Sequence, residues 1–176
     1  KASNVEAGKI VSDEPYELPE SWAWVYVDDI ADVQGGIQKQ PKRKPLKNRY
    51  PFLRVANVLR GRLDLAEIHE VELFAGELER FRLVKGDVLV VEGNGSFSEI
   101  GRSAIWDGSI KDCVHQNHII RVRPVKCHPR YFDYYWNSLP AISLITSVSV
   151  TTSGLYSLST KKVKGIPVPL PPMAEQ

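Results

Sequence analysis

Lys85-Gly86-Asp87-Val88-Leu89-Val90-Val91 is the stretch on which the fold turns. Gly86-Asp87 marks a turn, and the apolar residues after it, mostly β-branched, run without a polar residue between them. A strand with one wet face alternates apolar and polar residues, whereas a continuous run belongs to a strand covered on both faces. Residues 88–91 are therefore read as a core strand.

Downstream, residues 92–101 are rich in glycine and serine and read as a permissive polar loop. Residues 102–106 and 118–122 read as strands around the turn-like Asp107-Gly108-Ser109. Pro129 suits the first position of a helix, whose face would carry Tyr131, Tyr134, Tyr135 and Leu139 until Pro140 interrupts it. Beyond the polar Thr151-Thr152-Ser153-Gly154 loop, Ser159 can cap a single helical turn, and residues 166–170 are extended. Residues 171–176 resemble the first turn of a helix at which the sequence stops, as a piece cut from a longer chain would.

Upstream, residues 68–83 read as a strand and a connector, and residues 52–59 as a strand leading through Arg60-Gly61-Arg62 into Leu63. Residues 38–50 fit neither a strand nor a helix period and read as an extended surface loop. Trp22, Trp24 and Tyr26 lie in a β-rich run. Asp28 or Asp29 would cap a short helix carrying Ile30 and Val33, ended by Gly35-Gly36. Residues 1–14 are polar and aperiodic, a mobile lead-in, with order beginning near Leu18.

The chain has 176 residues, enough for one core that buries roughly 70% of the unfolded surface. With 43% hydrophobic residues, four Trp and seven Tyr, it has the apolar surface to fold. It shows no apolar run of membrane-spanning length and no secretory signal, which makes a cytoplasmic protein the expectation. Cys113 and Cys127 form no C-x-x-C pair, so free thiols are expected.

The motifs of several enzyme classes are missing. There is no D/N-P-P-aromatic tetrapeptide to hold the amino group of a base, and no D-x-K or E-x-K of a common metal-dependent nuclease. Gly93-Asn94-Gly95 does not continue into a nucleotide-binding signature, and no G-x-S-x-G occurs. Cys113, His115, His118, Cys127 and His128 offer metal-ligand types, but their spacing matches no standard zinc pattern, and structural hydrogen bonding is the better reading. Tyr131, Phe132, Tyr134, Tyr135 and Trp136 are a candidate stacking platform for single-stranded nucleic acid, although helical spacing favours core packing. No cofactor is expected.

The net charge of +2 is close to neutral, but its distribution is uneven. Lys39, Lys42, Arg43, Lys44, Lys47 and Arg49 occupy one short stretch with no acid among them. Such a run repels itself unless an anion meets it, and DNA phosphates do so with release of counterions.

Leu18-Pro19-Glu20-Ser21-Trp22-Ala23-Trp24 and Tyr50-Pro51-Phe52-Leu53-Arg54-Val55-Ala56-Asn57-Val58 resemble the opening of a recognition domain from a type I restriction-modification specificity (S) subunit. Gly86-Asp87-Val88-Leu89-Val90, Gly101-Arg102-Ser103-Ala104-Ile105-Trp106 and His115-Gln116-Asn117-His118-Ile119-Ile120-Arg121-Val122-Arg123-Pro124 continue the resemblance. It closes with Ile166-Pro167-Val168-Pro169-Leu170-Pro171-Pro172 and Glu175-Gln176, so it spans nearly everything from Pro15 onward.

The resemblance implies an α+β class: a mixed α/β globule around a curved, largely antiparallel sheet. It further implies a target recognition domain over residues 15–170 and the start of a truncated spacer helix at 171–176. It implies a non-catalytic reader of one half of a bipartite double-stranded DNA target. The partners would be methyltransferase (M) subunits, which bind S-adenosylmethionine, and a restriction (R) subunit. On this reading Gln38, Lys39, Lys42, Arg43, Lys44, Lys47 and Arg49 form the positioning loop. Asn94, Ser96, Ser98 and Arg102 in one loop, and Thr152, Ser153 and Tyr156 in another, supply groups for base edges. The alternatives are the recognition part of a fused restriction-methylation enzyme, or a single-strand binder using the aromatic set.

Overall fold

The computed structural model describes residues 14–93, 99–149 and 156–176. The strands are β1 (Ala23–Tyr26), β2 (Ala31–Gly35), β3 (Arg49–Leu53), β4 (Val58–Leu59), β5 (Arg62–Leu63), β6 (His69–Glu72), β7 (Val88–Val91), β8 (Ser103–Ile105), β9 (Val114–His115), β10 (Ile119–Pro124) and β11 (Pro167–Leu170). The helices are α1 (Val27–Ile30), α2 (Glu77–Phe81), α3 (Pro129–Trp136), α4 (Leu139–Ser149) and α5 (Thr160–Lys164). None of the described helices is long and apolar enough to cross a membrane.

The class is α+β with largely antiparallel pairing, and that pairing is shared among several sheets. The central sheet has the order β2-β10-β7-β8, all antiparallel. A second sheet, β6-β3-β9, contains a parallel pair between β3 and β9. The pairs β1-β11 and β4-β5 are the others among the described residues.

The core strand is covered on both faces, and its residues divide by parity. Val88 and Val90 join α3, α4 and α5 in one apolar cluster with Phe132, Trp136, Ile145 and Val163. Leu89 and Val91 point the other way, into a cluster with Leu53, Ala104 and Trp106. All four are fully buried, and burial of each side chain contributes roughly 1.5–3 kcal/mol. The preceding turn is tied by Asp87, whose buried carboxylate accepts from Arg123 Nε at 2.7 Å and from the Val84 amide at 2.8 Å. A third cluster, with Ile37, Phe52, Val71, Leu73, Phe81 and Val114, lies under the basic loop and its neighbours.

Several local expectations change. The first helix stops at Ile30, and Val33 lies in β2; Asp29 does not cap it as the leading residue but reaches back to accept from the Tyr26 amide at 2.9 Å. Residues 52–59 are broken by a 3-10 turn at Val55–Asn57, where the Asn57 side chain accepts from the Arg54 amide at 2.8 Å. The expected connector after β6 contains α2. In α3 the inward face is Phe132, Tyr135 and Trp136, with Tyr134 exposed; the helix ends at Trp136, and Leu139 is the exposed first residue of α4. Pro140 does not interrupt that helix but sits in the first turn of α4, where its missing N–H costs nothing. Ser159 does cap α5, accepting from the Lys162 amide at 3.2 Å.

Candidate nucleic-acid interface

Four chain segments meet at one end of the central sheet. Register places Ile120 beside Gly35 and Ile119 beside Val91, so β2 and β7 end where β10 begins. From there the chain runs out of β2 into the basic loop, out of β7 into the glycine-rich loop, and through residues 116–118 into β10. Backbone bonds fix the junction: Ile37 N to His115 O at 2.8 Å, Asn117 N to Ile37 O at 3.0 Å, and Glu92 N to His118 O at 2.9 Å. A fourth segment, between α4 and α5, joins through Leu158 N to Glu92 O at 2.6 Å and Ser157 N to Ser149 O at 3.0 Å. A Cβ on Gly93 would lie 3.5 Å from the Tyr156 carbonyl, so the bases of the two polar loops adjoin. Asn94, Ser96, Ser98, Thr152 and Ser153 lie outside the described residues. Tyr156 is half-buried and packs against the first apolar cluster.

At the basic loop, Gln38, Lys39, Lys42, Lys44, Lys47 and Arg49 are exposed. Arg43 is not. Its guanidinium is gripped by Glu77, with both terminal nitrogens 2.7 Å from the carboxylate oxygens, and it lies 4.8 Å from the centroid of the Phe74 ring. This corrects the reading of Arg43 as a phosphate contact: it staples the loop to α2. The Arg43 guanidinium holds the Glu77 carboxyl down at about 2. Arg49 also has an acid nearby, Glu70 at 3.7 Å, although both are exposed and such a pair contributes little.

The charge of this loop is thus only partly readable from its own residues. The run has no acid within it, but β6 and α2 supply Glu72 and Glu77 from about thirty residues downstream, as the pairing of β3 with β6 requires. The loop arches over a cleft of about 850 Å³ lined by Lys39, Lys44, Phe52, Ile68 and His69 among others.

Arg102 is likewise corrected. It is buried, with Nε donating to the Val58 carbonyl at 2.6 Å and Nη2 to the Val55 carbonyl at 3.1 Å. It holds the 3-10 turn and β4 against the central sheet, so its guanidinium is spent on the fold.

The aromatic set also faces inward. Phe132 and Trp136 stack with centroids 5.4 Å apart, Tyr135 donates to the Pro167 carbonyl at 2.8 Å, and Tyr131 donates to the Pro169 carbonyl. Burial pushes both tyrosine pKa values up. Only Tyr134 of this set is exposed.

Cys113 and Cys127 belong to different apolar clusters, and burial pushes both thiols up to about 12. His115 is buried with Nδ1 3.0 Å from the Ile119 carbonyl, while His118 meets Glu92 at 3.1 Å and His128 caps α3. Among the described residues no three His, Cys, Asp or Glu side chains are grouped to hold a metal. Lys162, which sequence reasoning passed over, donates to the Ser157 carbonyl at 2.9 Å and the Ser149 carbonyl at 3.5 Å, and so bridges the two sides of the connection between α4 and α5. No sequence signal marks it, because its partners are backbone oxygens.

These features define a loop-presenting α+β domain. Residues 19–176 match the family described as the type I restriction modification DNA specificity domain, and the chain belongs to that family. It is 31% identical over 153 residues to the EcoKI type I restriction enzyme specificity subunit of Escherichia coli strain K12, covering 84% of this chain and 32% of that protein. It is 26% identical over 152 residues to the StySPI type I restriction enzyme specificity subunit of Salmonella potsdam, again covering 84% and 32%. The chain thus spans about a third of the length of these curated relatives.

Among solved structures, the HsdS subunit from Thermoanaerobacter tengcongensis aligns with a TM-score of 0.62 at 16% identity, over 94% of this chain and 37% of that one. A chain from a structure on complex assembly and conformational transition of the type I R-M system aligns with a TM-score of 0.64 at 16% identity, over 92% and 37%. At that identity the likeness establishes the fold.

Proposed function

We propose that the chain reads one half of a bipartite duplex DNA target and carries no chemistry of its own. The observation that carries this reading is the meeting of the basic loop with the bases of two polar loops at one end of the central sheet. Cations on one segment position the phosphate backbone, and short polar side chains on the adjoining segments reach base edges. Lys39, Lys42, Lys44, Lys47 and Arg49 do the positioning, with Gln38 beside them. Asn94, Ser96, Ser98, Thr152, Ser153 and Tyr156 supply the reading surface.

In this reading residues 15–170 form the recognition unit and residues 171–176 open a spacer helix. Methyltransferase subunits and a restriction subunit, guided by the bound chain, perform methylation and cleavage in the cytoplasm. The names of the relatives, specificity subunits of type I restriction enzymes, support a role in choosing the target within a larger enzyme. The single-strand alternative loses its platform, since its aromatic side chains other than Tyr134 pack inward.

Fluorescence anisotropy with labelled duplex and single-stranded oligonucleotides over a salt series tests the reading. Duplex binding with non-specific dissociation constants of roughly 10⁻⁴ to 10⁻⁶ M and a steep salt dependence is expected. Preference for the single strand, or salt-insensitive binding, would contradict it.

A further inference from the structure

The basic loop is shaped by an acid that lies outside it. Glu72, the last residue of β6, is buried, and its carboxylate oxygens accept the backbone N–H of Leu46 at 2.7 Å and of Asn48 at 3.0 Å. The adjoining Leu73 amide donates to the Asn48 carbonyl at 3.1 Å, so this stretch of loop is held from both sides. Donation from the Asn48 and Leu46 amides keeps the Glu72 carboxyl below the usual carboxylate range, in its charged form.

The grip falls within the basic stretch of the loop. Lys47 lies between the pinned amides, and Lys42 and Lys44 lie in and after the 3-10 turn Pro41–Arg43. All three side chains are exposed. Mutually repelling cations on a free loop would spread apart, and ordering them at the moment of binding would cost affinity.

We propose that Glu72 is a positioning residue for phosphate binding: by pinning the backbone of Leu46 and Asn48 it holds Lys42, Lys44 and Lys47 in one array facing the DNA backbone. This rests on the duplex-reading function proposed above. It predicts the reverse of simple electrostatics, because deleting a negative charge beside a phosphate-binding loop should on Coulomb grounds strengthen DNA binding.

The test measures duplex affinity across a salt series for the unmodified chain, Glu72→Gln, the triple variant Lys42→Ala/Lys44→Ala/Lys47→Ala, and the combination. Glutamine keeps the size of the side chain but turns one acceptor into a donor that faces a backbone N–H. The expected result is about a tenfold loss of affinity in Glu72→Gln and a slope of log K against log salt flattened by about 0.9 for each phosphate no longer neutralised. In the triple-alanine background Glu72→Gln has no further effect.

Equal or tighter binding by Glu72→Gln, or the same loss with and without the lysines, overturns the proposal. Failure of the unmodified chain to bind duplex DNA overturns the recognition reading itself, and this inference with it. Should Glu72→Gln not fold, amide exchange of the unmodified chain decides. Leu46 and Asn48 exchanging at least about tenfold slower than free peptide supports the pinning, and free-peptide rates overturn it.

Discussion

The Glu77 carboxylate receives both terminal nitrogens of Arg43, each at 2.7 Å, and so removes one cation from the surface of the basic loop. Arg43→Ala is therefore expected to lower the thermal midpoint, because it releases the loop from α2. Lys42→Ala and Lys44→Ala should each flatten the slope by about 0.9 and leave the midpoint alone. Salt titrations paired with thermal melts separate the two behaviours.

A pH effect follows from His115. Burial lowers its pKa from 6.5 to about 4, so the folded state holds the imidazole neutral where the unfolded chain would protonate it. The unfolded state binds more protons between those values, so stability is full above pH 6.5 and falls as the pH drops toward 4. The slope approaches about 1.4 kcal/mol per pH unit, for a total on the order of 3 kcal/mol. Urea unfolding at several pH values checks this, and His115→Asn should lose that part of the slope.

The elements most legible in the sequence were those set by local chemistry. The unbroken run Val88–Val91, Pro129 at a helix start and the Ser159 cap each carry their signal within a few residues. The basic loop was legible as a charged segment. What was not legible depends on distant residues: Arg43 and Arg102 read as free cations until Glu77 and the Val55 and Val58 carbonyls come beside them. Helix α4 was missed because its Ile, Thr and Val content and its early proline argue against helix locally, while its buried Ala141 and Ile145 hold it in place.

Arg102 yields a prediction opposite in kind to base reading. Arg102→Ala removes the side-chain donor of the Val58 carbonyl and one of two donors of the Val55 carbonyl, which keeps the Val58 N–H, at a cost on the order of 2–3 kcal/mol. The thermal midpoint should fall on the order of 10 °C. Sequence preference, measured well below the new midpoint, should survive.

Gly36 joins β2 to the basic loop, and a Cβ there would stand 2.4 Å from the carbonyl oxygens of both His115 and Gln116. Gly36→Ala must push these backbones apart and break the bridge between Ile37 and Gln116. A stability loss of about 3 kcal/mol or more is expected in denaturant titrations.

Selection from a randomised duplex pool, followed by sequencing of what the chain retains, tests sequence reading most directly. One short uninterrupted sequence should be enriched, as expected for a single half of a bipartite target. The lysine triple variant should retain the same sequence at lower yield. Asn94→Ala and Ser98→Ala should blur it, at about 1–3 kcal/mol for each base edge left unread. A retained pool indistinguishable from the input would contradict the proposal that this chain chooses the DNA sequence.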